Sequence, residues 1–438
     1  MRTIFFIFLM MFAVWSFAQD VPLTYEDAVK LALEQNVDLR TQQNEMKLVK
    51  AERDQSRGEL APNVSANIDG FRSSGNTFLE QEAKTINTTS DNLQGGLNAN
   101  LNIFSGFSQI NKLKLTNANF DAQRYLLNRT TQDVIVTVTN QYLQVLLDTE
   151  LLEIAKDNLK TQEMLYKQID AMVEAGNRPK SDLYDQLATV KNRELLVLQA
   201  KNNLSNDKSA MAITLQLDPT VDISVTSPGW NIDDIRLATF SLNDLYDISI
   251  ANRPDLKQFE SSELASEKAV SISKANFVPS LYAFYNFSTR YNDQSIRNIN
   301  EQLTIDNKRN QYGLSLSIPI YSGLRNKTFY VRQKVTFENA QINTENLKKT
   351  ILNDVRNAYQ NFMDVKAAYE VSIAQLDAAD MALKVQQEKY NLGVGSLIEL
   401  TNSNNNFVYA ASRQAQARLN LLFQKVILDY HTGVLQAP

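Results

Sequence analysis

A long stretch without glycine or proline, Leu324–Leu392, constrains the fold of this chain more than any other feature. Apolar residues inside it advance by threes and fours, a mean period of about 3.6, which predicts one long α-helix with a continuous apolar seam. The seam positions are Leu347, Ile351, Val355, Ala358, Phe362, Val365, Tyr369, Ile373, Leu376, Ala379 and Leu383. At about 1.5 Å per residue such a helix is roughly 100 Å long. Because a small globule cannot bury a seam of that length, the helix must lie along equally long neighbours.

The residues that follow this helix are typical of the tip of a hairpin. Gly393 and Gly395 come directly after it, and glycine suits the left-handed conformation just past a helix end. Ser396 is a suitable N-cap for a second helix, which continues without glycine or proline to Thr432. Residues 324–432 are therefore predicted to form a long antiparallel helical hairpin.

The chain also contains two halves that match at one constant spacing, the distance in sequence from Gly176 to Gly393, which we call the repeat offset. Other landmarks matched at this offset are Pro62 and Pro279, Ile103-Phe104-Ser105-Gly106 and Ile320-Tyr321-Ser322-Gly323, and Asp182-Leu183 and Glu399-Leu400. Landmarks that stay in register over so long a stretch indicate a structural duplication rather than a short-period solenoid. The duplication predicts a first repeat over residues 19–217 and a second over residues 241–438, joined by an irregular connector over residues 218–240.

Each repeat is predicted to contain an N-terminal helix, two strands and a long helical hairpin. In the first repeat these elements cover 23–57, 63–72, 93–104 and 107–217, and in the second 241–276, 280–291, 311–321 and 324–432. Residues 1–18 combine a positive start, a short apolar run and small residues at Ser16 and Ala18, which predicts a cleaved secretory signal.

Composition excludes several classes of function. The formal net charge is −5, which gives no support to nucleic-acid binding, because that needs a basic face. The chain has no cysteine and a single histidine, His431, so a thiolate metal site, a multi-histidine site or a hydrolytic triad is not expected. No paired acid and base, metal-spacing or phosphate-loop motif stands out, and we therefore predict no enzyme activity and no cofactor.

The predicted strands alternate between apolar and polar residues. After Pro62, apolar Val64, Ala66 and Ile68 alternate with asparagine, serine and aspartate, and the other three strands follow the same pattern. Two interpretations compete: a soluble sheet packed on helices, and a transmembrane β-barrel with strands of about 9–11 residues. The long polar connections 73–92 and 292–310, which resemble external loops, and the secretory signal favour the barrel.

Four strands cannot close a barrel around a pore, and lipid does not tolerate open sheet edges. Several copies of the chain must then contribute strands to one barrel. Strand counting alone permits a dimer or a trimer.

The ordered set of these features resembles the TolC family of bacterial outer-membrane efflux channels. The resemblance rests on the tip from Tyr390 to Leu400, its fainter copy from Ala175 to Leu183, the two strand-to-helix junctions at Gly106 and Gly323, and the duplicated layout. It implies a mainly α fold with membrane β: a homotrimer whose shared 12-stranded transmembrane β-barrel continues into a long periplasmic α-helical barrel.

The resemblance also implies roles for residues at the tips. Glu399 matches an acidic residue whose copies ring the lumen at a periplasmic gate, and Asn402 stands where a second acidic ring occurs. Tyr390 and Asp182 match a hydrogen-bonded pair that holds the tips shut. Gly395 stands where a latch arginine is expected, so a less tightly latched gate is predicted.

A second set of tip residues is implied to form a docking surface for a periplasmic adaptor protein. Its members are Gly176, Ser181, Leu183, Gly393, Ser396 and Leu400.

The predicted function is the outer-membrane exit duct of a tripartite efflux or type I secretion system. Its implied partners are further copies of the chain, a periplasmic adaptor, an inner-membrane RND or ABC transporter, and outer-membrane lipid. The alternative is a secreted structural or adhesive coiled-coil protein without transport activity, for which the four strands and the duplication have no purpose.

Overall fold

The computed structural model describes residues 21–79, 83–218, 221–230 and 241–437. The predicted signal, residues 1–18, lies outside this part of the chain, as does part of the connector. The elements, in chain order, are β1 Val21–Leu23, α1 Tyr25–Gln35, α2 Val37–Gly58, β2 Asn63–Leu79, β3 Lys84–Ser105, α3 Ser108–Glu174, α4 Lys180–Thr214, β4 Ile223–Val225, α5 Leu242–Asn252, α6 Pro254–Ala275, β5 Ser280–Asn292, α7 Ile299–Glu301 (continued by a π-turn, Gln302–Asp306), β6 Arg309–Ser317, α8 Arg325–Asn391 and α9 Leu397–Thr432. The fold is mainly helical, as the sequence predicts.

Two compact units divide these elements. The first takes the described residues within 1–42, 127–254 and 348–438, and the second consists of Gln43–Leu126 and Asp255–Leu347.

The first unit contains a buried core around Tyr142, together with Tyr25, Val138 and Ile223. The Tyr142 hydroxyl donates to the carbonyl oxygens of Leu23, at 2.9 Å, and of Thr226, at 2.6 Å. These bonds fix β1 and β4, which pair in parallel, to the middle of α3. The irregular connector is thereby packed onto the long helix.

The single helices expected over residues 23–57 and 241–276 are each broken once. Asn36 ends α1 with an extended ψ of 131°, and its side chain accepts a hydrogen bond from the amide of Leu39, which starts the next helix. Arg253 takes the corresponding role between α5 and α6, with a ψ of 121°. At Arg253 the cause is visible in the sequence, because the following Pro254 disfavours the helical conformation of the residue before it.

Backbone landmarks recur at the repeat offset. Asn36 and Arg253 are separated by it, and so are the first residues of β2 and β5, of α3 and α8, and of α4 and α9. Four pairs of residues at the same offset have positive φ angles: Gly106 and Gly323 (63° and 60°), Phe107 and Leu324 (63° and 64°), Gly176 and Gly393 (76° and 75°), and Gln216 and Gly433 (56° and 77°).

The apolar seam of α8 differs from the predicted one in its period. The sequence pattern predicts Ile373 as a seam residue, but Ile373 is 40% exposed and Ser372 is 6% exposed. Buried and half-buried residues advance by alternating fours and threes at positions 351, 355, 358, 362, 365, 369, 372, 376, 379, 383, 386 and 390. A period of about 3.5 keeps one stripe facing its neighbours along a supercoil, whereas a period of about 3.6 drifts around the helix.

The second unit contains a four-stranded antiparallel sheet in the order β2-β3-β5-β6. Its register carries the alternation of the sequence across all four strands. One row reads Val64, Ala99, Tyr285 and Tyr312, and the adjacent row reads Ser65, Asn98, Asn286 and Gln311. Because neighbouring side chains in a strand point to opposite sides, the first row lies on an apolar face and the second on a polar face. β2 and β6 are the two edges of the sheet.

The first hairpin of this sheet is longer than predicted. The expected strands 63–72 and 93–104 extend to Asn63–Leu79 and Lys84–Ser105, so residues 73–79 and 84–92 are paired strand rather than loop. Polar cross-strand contacts hold this extension: Arg72 forms a two-pronged ion pair with Asp91, at 2.6 and 2.7 Å, and the hydroxyls of Ser73 and Ser90 are 2.9 Å apart. Since most side chains on both faces are polar here, the apolar alternation that marks a strand is missing.

The second hairpin of this sheet, formed by β5 and β6, is shorter than predicted at the C-terminal end of β6. β5 runs one residue past the predicted end, and β6 covers 309–317 instead of 311–321. Residues 318–321 contain Pro319, which has no amide hydrogen to donate to a ladder. The connection predicted as a loop, 292–310, contains the short helix α7 and its π-turn.

Candidate functional site

The tips of the two helical hairpins share one backbone conformation. The first tip joins α3 to α4, and the second joins α8 to α9. Gly176 and Gly393 adopt the left-handed conformation with φ angles of 76° and 75°. At the second tip the amide of Gly393 donates to Tyr390 O and that of Val394 to Lys389 O, and the first tip has the equivalent pair of bonds. This arrangement satisfies the last carbonyl groups of each helix.

A small apolar core lies just behind the two tips. Its buried members are Leu165, Ile169, Tyr390 and Leu400, and the half-buried residues packed against it are Val173, Leu183, Leu383 and Leu397. Tyr390 is only 1% exposed. The structure thus brings together three residues singled out from the sequence, Leu183, Tyr390 and Leu400.

Arg178 connects this core to the acidic side chain of the first tip. Its guanidinium carbon lies 4.8 Å from the centre of the Tyr390 ring, within the range of a cation–π contact. Its Nη1 lies 3.6 Å from Oδ2 of Asp182, and both side chains are 22% exposed. One arginine therefore contacts both residues that the family resemblance expects to bond directly to each other.

The expected hydrogen bond between Tyr390 and Asp182 is absent. The Tyr390 hydroxyl is buried and has no hydrogen-bond partner among the described residues. Burial raises the pKa of Tyr390, the nearby Arg178 lowers it, and Asp182 raises it. The net shift is upward, so the phenol stays neutral and retains a proton that it can donate.

Arg178 was not singled out from the sequence, although the repeat contains the signal. It precedes Gly395 by the repeat offset, so the two occupy equivalent places in the two tips. Gly395 is closely packed: a Cβ atom there would lie 3.1 Å from both Lys389 Cβ and Tyr390 N. The first tip carries an arginine where a side chain in the second would need its neighbours to give by a few tenths of an ångström.

Glu399 and Ser396 form a capping box at the start of α9. The Ser396 hydroxyl accepts from the Glu399 amide at 3.2 Å, and the Glu399 carboxylate accepts from the Ser396 amide at 3.3 Å. Glu399 and Asn402 are exposed in the single chain, and their side chains are not bonded to Tyr390, Asp182 or each other. Of the six residues expected to dock an adaptor, Gly176, Ser181, Gly393 and Ser396 are exposed, whereas Leu400 is buried and Leu183 half-buried.

A layer of buried amides lies on the helix side of the apolar core. Asn404 donates to Asn158 at 3.0 Å, and Gln186 donates to the side chain of Gln162 at 2.9 Å and to its carbonyl oxygen at 3.0 Å. These bonds tie α3 to both α9 and α4. They also show the role of part of the asparagine-rich segment 402–406: Asn404 is a buried partner, and Asn405 accepts a hydrogen bond from Arg193.

The described residues contain neither a metal-binding cluster nor a helix that could span a membrane. No group of three or more histidine, cysteine, aspartate or glutamate side chains is arranged to hold a metal ion. Across the same residues, every helix is too short or too polar to cross a lipid bilayer.

Comparisons with known proteins match the chain over most of its length. The family model described as outer membrane efflux protein matches residues 28–213 and 245–433. The alkaline protease secretion protein AprF of Pseudomonas aeruginosa is 21% identical over 310 residues, which are 69% of this chain and 62% of that protein. The chain thus spans less than two thirds of the length of this curated relative.

Solved structures show the same fold. CusC, whose crystal structures concern transmembrane channel formation, superposes with a TM-score of 0.81 at 16% identity over 94% of this chain and 93% of that chain. The Campylobacter jejuni CmeC outer membrane channel superposes with a TM-score of 0.78 at 17% identity over 94% and 86%. The family match covers both halves of the sequence and agrees with the resemblance drawn from its motifs. The chain belongs to the outer membrane efflux protein family, the TolC family of channels.

Proposed function

We propose that this protein is the outer-membrane exit duct of a tripartite efflux or type I secretion system. Three copies enclose a tunnel that passes substrates from an inner-membrane RND or ABC transporter and a periplasmic adaptor to the exterior. The two halves of each chain act as structural repeats, and the long helices lie in the periplasm. Family membership and the fold shared with CusC and CmeC support this function.

The four-stranded sheet is the observation that carries the proposal. Its register puts Val64, Ala99, Tyr285 and Tyr312 on one face and amides and hydroxyls on the other. A sheet on the surface of a soluble protein would cover its apolar face with helices, but here Ile68 is 79% exposed and Leu316 is 61% exposed. In a barrel this face meets lipid and the polar face lines a water-filled lumen. Twelve strands from three copies would close the barrel and remove every edge.

The helical tips form the periplasmic gate in this proposal. Arg178 of the first tip holds Asp182 and the Tyr390 ring of the second tip, and this contact replaces the direct bond between tyrosine and aspartate that the family resemblance implies. The latch arginine that is missing at position 395 thus has a counterpart at the equivalent place in the other repeat. Gate opening separates the two tips and breaks the contact between Arg178 and Tyr390.

Adaptor docking falls to the exposed part of the tips. Gly176, Ser181, Gly393 and Ser396 are accessible in the single chain, and they lie at the ends of the hairpins. Leu183 and Leu400 contribute by supporting the core behind this surface.

Membrane fractionation tests the proposed function. The protein, expressed with its native N-terminus in a Gram-negative host, is expected in the outer-membrane fraction as a detergent-extracted trimer. Its gel mobility should change on heating, because a closed β-barrel resists SDS until it is heated. A soluble periplasmic monomer would contradict the proposal, and a secreted coiled-coil oligomer without membrane association would favour the structural alternative.

Single-channel recording tests the place of Glu399. If three carboxylates ring the lumen, Glu399→Gln should weaken block by multivalent cations and change the conductance little. Asp157→Asn is a matched control, since Asp157 is an exposed carboxylate far from the tip along α3. Unchanged block in Glu399→Gln would remove Glu399 from the lumen.

A further inference from the structure

The single chain leaves the two edge strands of its sheet, β2 and β6, each with one unpaired side. The proposed trimer pairs β6 of one copy with β2 of the next, but it does not say in which register. Antiparallel strands can slide past each other in steps of two residues and keep both faces in place, so the register is a separate question. The repeat offset of the chain answers it.

The offset already reproduces one strand register within the chain. In the first hairpin Asn63 pairs with Asn100, and in the second Ser280 pairs with Ser317. Each residue of the second pair follows its counterpart in the first by the repeat offset. Every residue pair between β5 and β6 follows the first hairpin in this way. A register taken from one half of the chain therefore predicts the register of the other.

The junction between the hairpins supplies the register for the edges. β3 of the first hairpin pairs with β5 of the second, with Ala99 opposite Tyr285 and Asn98 opposite Asn286. The counterpart of β3 in the other repeat is β6, and the counterpart of β5 is β2. Moving each residue by the repeat offset into the other half turns the pair Ala99 and Tyr285 into Leu316 and Ile68.

Resting on the proposed trimer, we propose that β6 of one copy pairs antiparallel with β2 of the next copy so that Leu316 lies opposite Ile68. Ser315 then lies opposite Asp69 and Ile318 opposite Ala66. At these pairs polar residues meet polar residues and apolar residues meet apolar ones, so both faces of the sheet continue across this part of the boundary between copies. The side chains of Leu316 and Ile68, exposed in the single chain, become neighbours on the lipid side.

The same rule extends β6 beyond its end in the single chain. The pairing of β3 with β5 contains a bulge between Asn102 and Phe104, after which Phe104 lies opposite Leu281. Moved by the repeat offset, this pair becomes Tyr321 of one copy opposite Val64 of the next copy. The bulge then falls at Ile320. Pro319 adjoins that bulge, where a missing amide hydrogen is tolerated. Residues 318–322 thus join the strand when a second copy provides the partner.

Cysteine cross-linking tests this register, and the absence of native cysteine gives a clean background. Leu316→Cys is combined with one second cysteine at Val64, Ala66, Ile68, Gly70 or Arg72, all on one face of β2. Within one chain β2 and β6 are three strand spacings apart, about 14 Å, which is too far for a disulfide. Outer membranes containing each variant are oxidised with copper phenanthroline and run on non-reducing gels.

The expected result is a covalent trimer for the pair with Ile68→Cys, weaker cross-linking for Ala66→Cys and Gly70→Cys, and only background for Val64→Cys and Arg72→Cys. Ala99→Cys with Tyr285→Cys is the matched control, because it is the same pair within one chain. It should lose its free thiols to maleimide labelling without joining chains.

Two failures can be told apart. A maximum at any position other than Ile68 would overturn the register and leave the proposed barrel standing. Background at all five positions, with the control pair oxidised and the chains in the membrane, would overturn both. Disulfide-linked dimers of single-cysteine variants measure random collisions between chains. The register would be rejected if their yield matched the cross-linking yield of the variant with Leu316→Cys and Ile68→Cys.

Discussion

The two helical tips have nearly the same backbone and different side-chain chemistry. Gly176 and Gly393 have φ angles of 76° and 75°, and at each tip the preceding helix ends and the following helix begins at equivalent residues. At equivalent places, however, the first tip has Val173, Arg178 and Pro179, and the second has Tyr390, Gly395 and Ser396. The second tip contributes the aromatic ring and the helix cap, and the first contributes the cation that contacts that ring. The repeated backbone therefore supports a division of tasks between the tips.

The same contrast continues into the hairpins. Asp148 is buried in α3, where the carboxyl of Asp207 on α4 faces it, and the equivalent residues of the second hairpin are Val365 and Gln424. The first hairpin thus carries a titratable contact that the second lacks. Each of the following changes acts on one hairpin or tip and has a counterpart in the other.

The largest effect is expected from removing the aromatic ring of the second tip. Tyr390→Ala should lower the local stability of the tip by about 3–5 kcal/mol, because it leaves a cavity in a closed core. Val173→Ala, its counterpart, should cost about 1 kcal/mol because a half-buried side chain loses little contact. Hydrogen exchange of the first turns of α9 measures both, and equal costs would remove the asymmetry between the tips.

Tyr390→Phe sharpens this comparison. The hydroxyl is buried without a partner among the described residues, and a buried unsatisfied group is destabilising. The phenylalanine variant should therefore exchange as slowly as the parent or more slowly. Faster exchange would indicate a hydrogen bond to Tyr390, as the family resemblance implies.

A pH-dependent stability is expected in the first hairpin only. Burial and the neighbouring Asp207 raise the pKa of Asp148 to about 7, against a hydrogen bond from Gln144 that lowers it. The folded chain therefore holds a proton that the unfolded chain has lost between about pH 4 and pH 7. The stability from this site is fully present below that window, falls as the pH rises through it, and stays low above pH 7.

Thermal unfolding of the purified protein, followed by circular dichroism from pH 4.5 to 8, measures this effect. The melting temperature should fall with rising pH by several degrees, and Asp148→Asn should flatten the profile. Asp157→Asn, which removes an exposed carboxylate of the same helix, should leave the slope unchanged. A slope that survives Asp148→Asn would assign the titration to another group.

Removing the arginine of the first tip should have a moderate effect. Arg178→Gln removes a partly buried ion pair and a cation–π contact, together worth about 1–2 kcal/mol. If the tips form the proposed gate, the open fraction of single channels should rise, and high salt should weaken the difference from the parent, since salt screens the ion pair. Arg178→Lys should lie between the two.

Gly395→Arg provides the counterpart at the second tip. The family resemblance predicts that an arginine there tightens the proposed gate. Its Cβ atom would crowd Lys389 and the Tyr390 amide at 3.1 Å, so the tip must shift to accept it. We expect that Gly395→Arg does not restore the closed state in the Arg178→Gln variant, and a full rescue would show that the two positions are interchangeable.

The smallest effects are expected at the helix caps. Ser396→Ala removes the capping box of α9 and should cost about 1 kcal/mol. Pro179→Ser, its counterpart, should be close to neutral, because a new cap bond offsets the lost rigidity of proline. Hydrogen exchange at the first amides of α4 and α9 measures both, and a large gain from Pro179→Ser would mean that α4 lacks an effective cap.

Sequence reasoning was accurate at the helix tips, where the requirement is local, and wrong at several places where a distant partner decides. Gly176 and Gly393 mark their tips because a left-handed residue after a helix is a local requirement. The break at Arg253 is also a local effect, of Pro254, and the prediction of a single helix over residues 241–276 missed it. Ser372, in contrast, replaces Ile373 in the seam of α8, because supercoiling around neighbouring helices changes the effective period.

The site shows the same limit. Tyr390, Asp182 and Leu183 could be selected from the tip motif, and the structure brings them close together. Arg178 was missed because its role depends on the ring of a residue in the other half of the sequence. The length of the first β-hairpin, β2 and β3, was missed because polar pairs such as Arg72 and Asp91 hold its outer half. Such pairs show no alternation of apolar and polar residues.

The sequence by itself determined the long helices, their tips, the alternating faces of the strands, the constant offset between the matching landmarks of its two halves, and the family. These follow from the spacing of apolar residues and from the backbone preferences of glycine and proline, which act over a few residues. Only the tertiary structure decided the strand ends, the helix break at Asn36, the contact of Arg178 with Tyr390 and the register of the sheet. The contact of Arg178, the length of the first β-hairpin and the register depend on which distant groups meet, and pairing and burial energies outweigh local preference there; at Asn36 the break is local, but a lone asparagine does not by itself predict one.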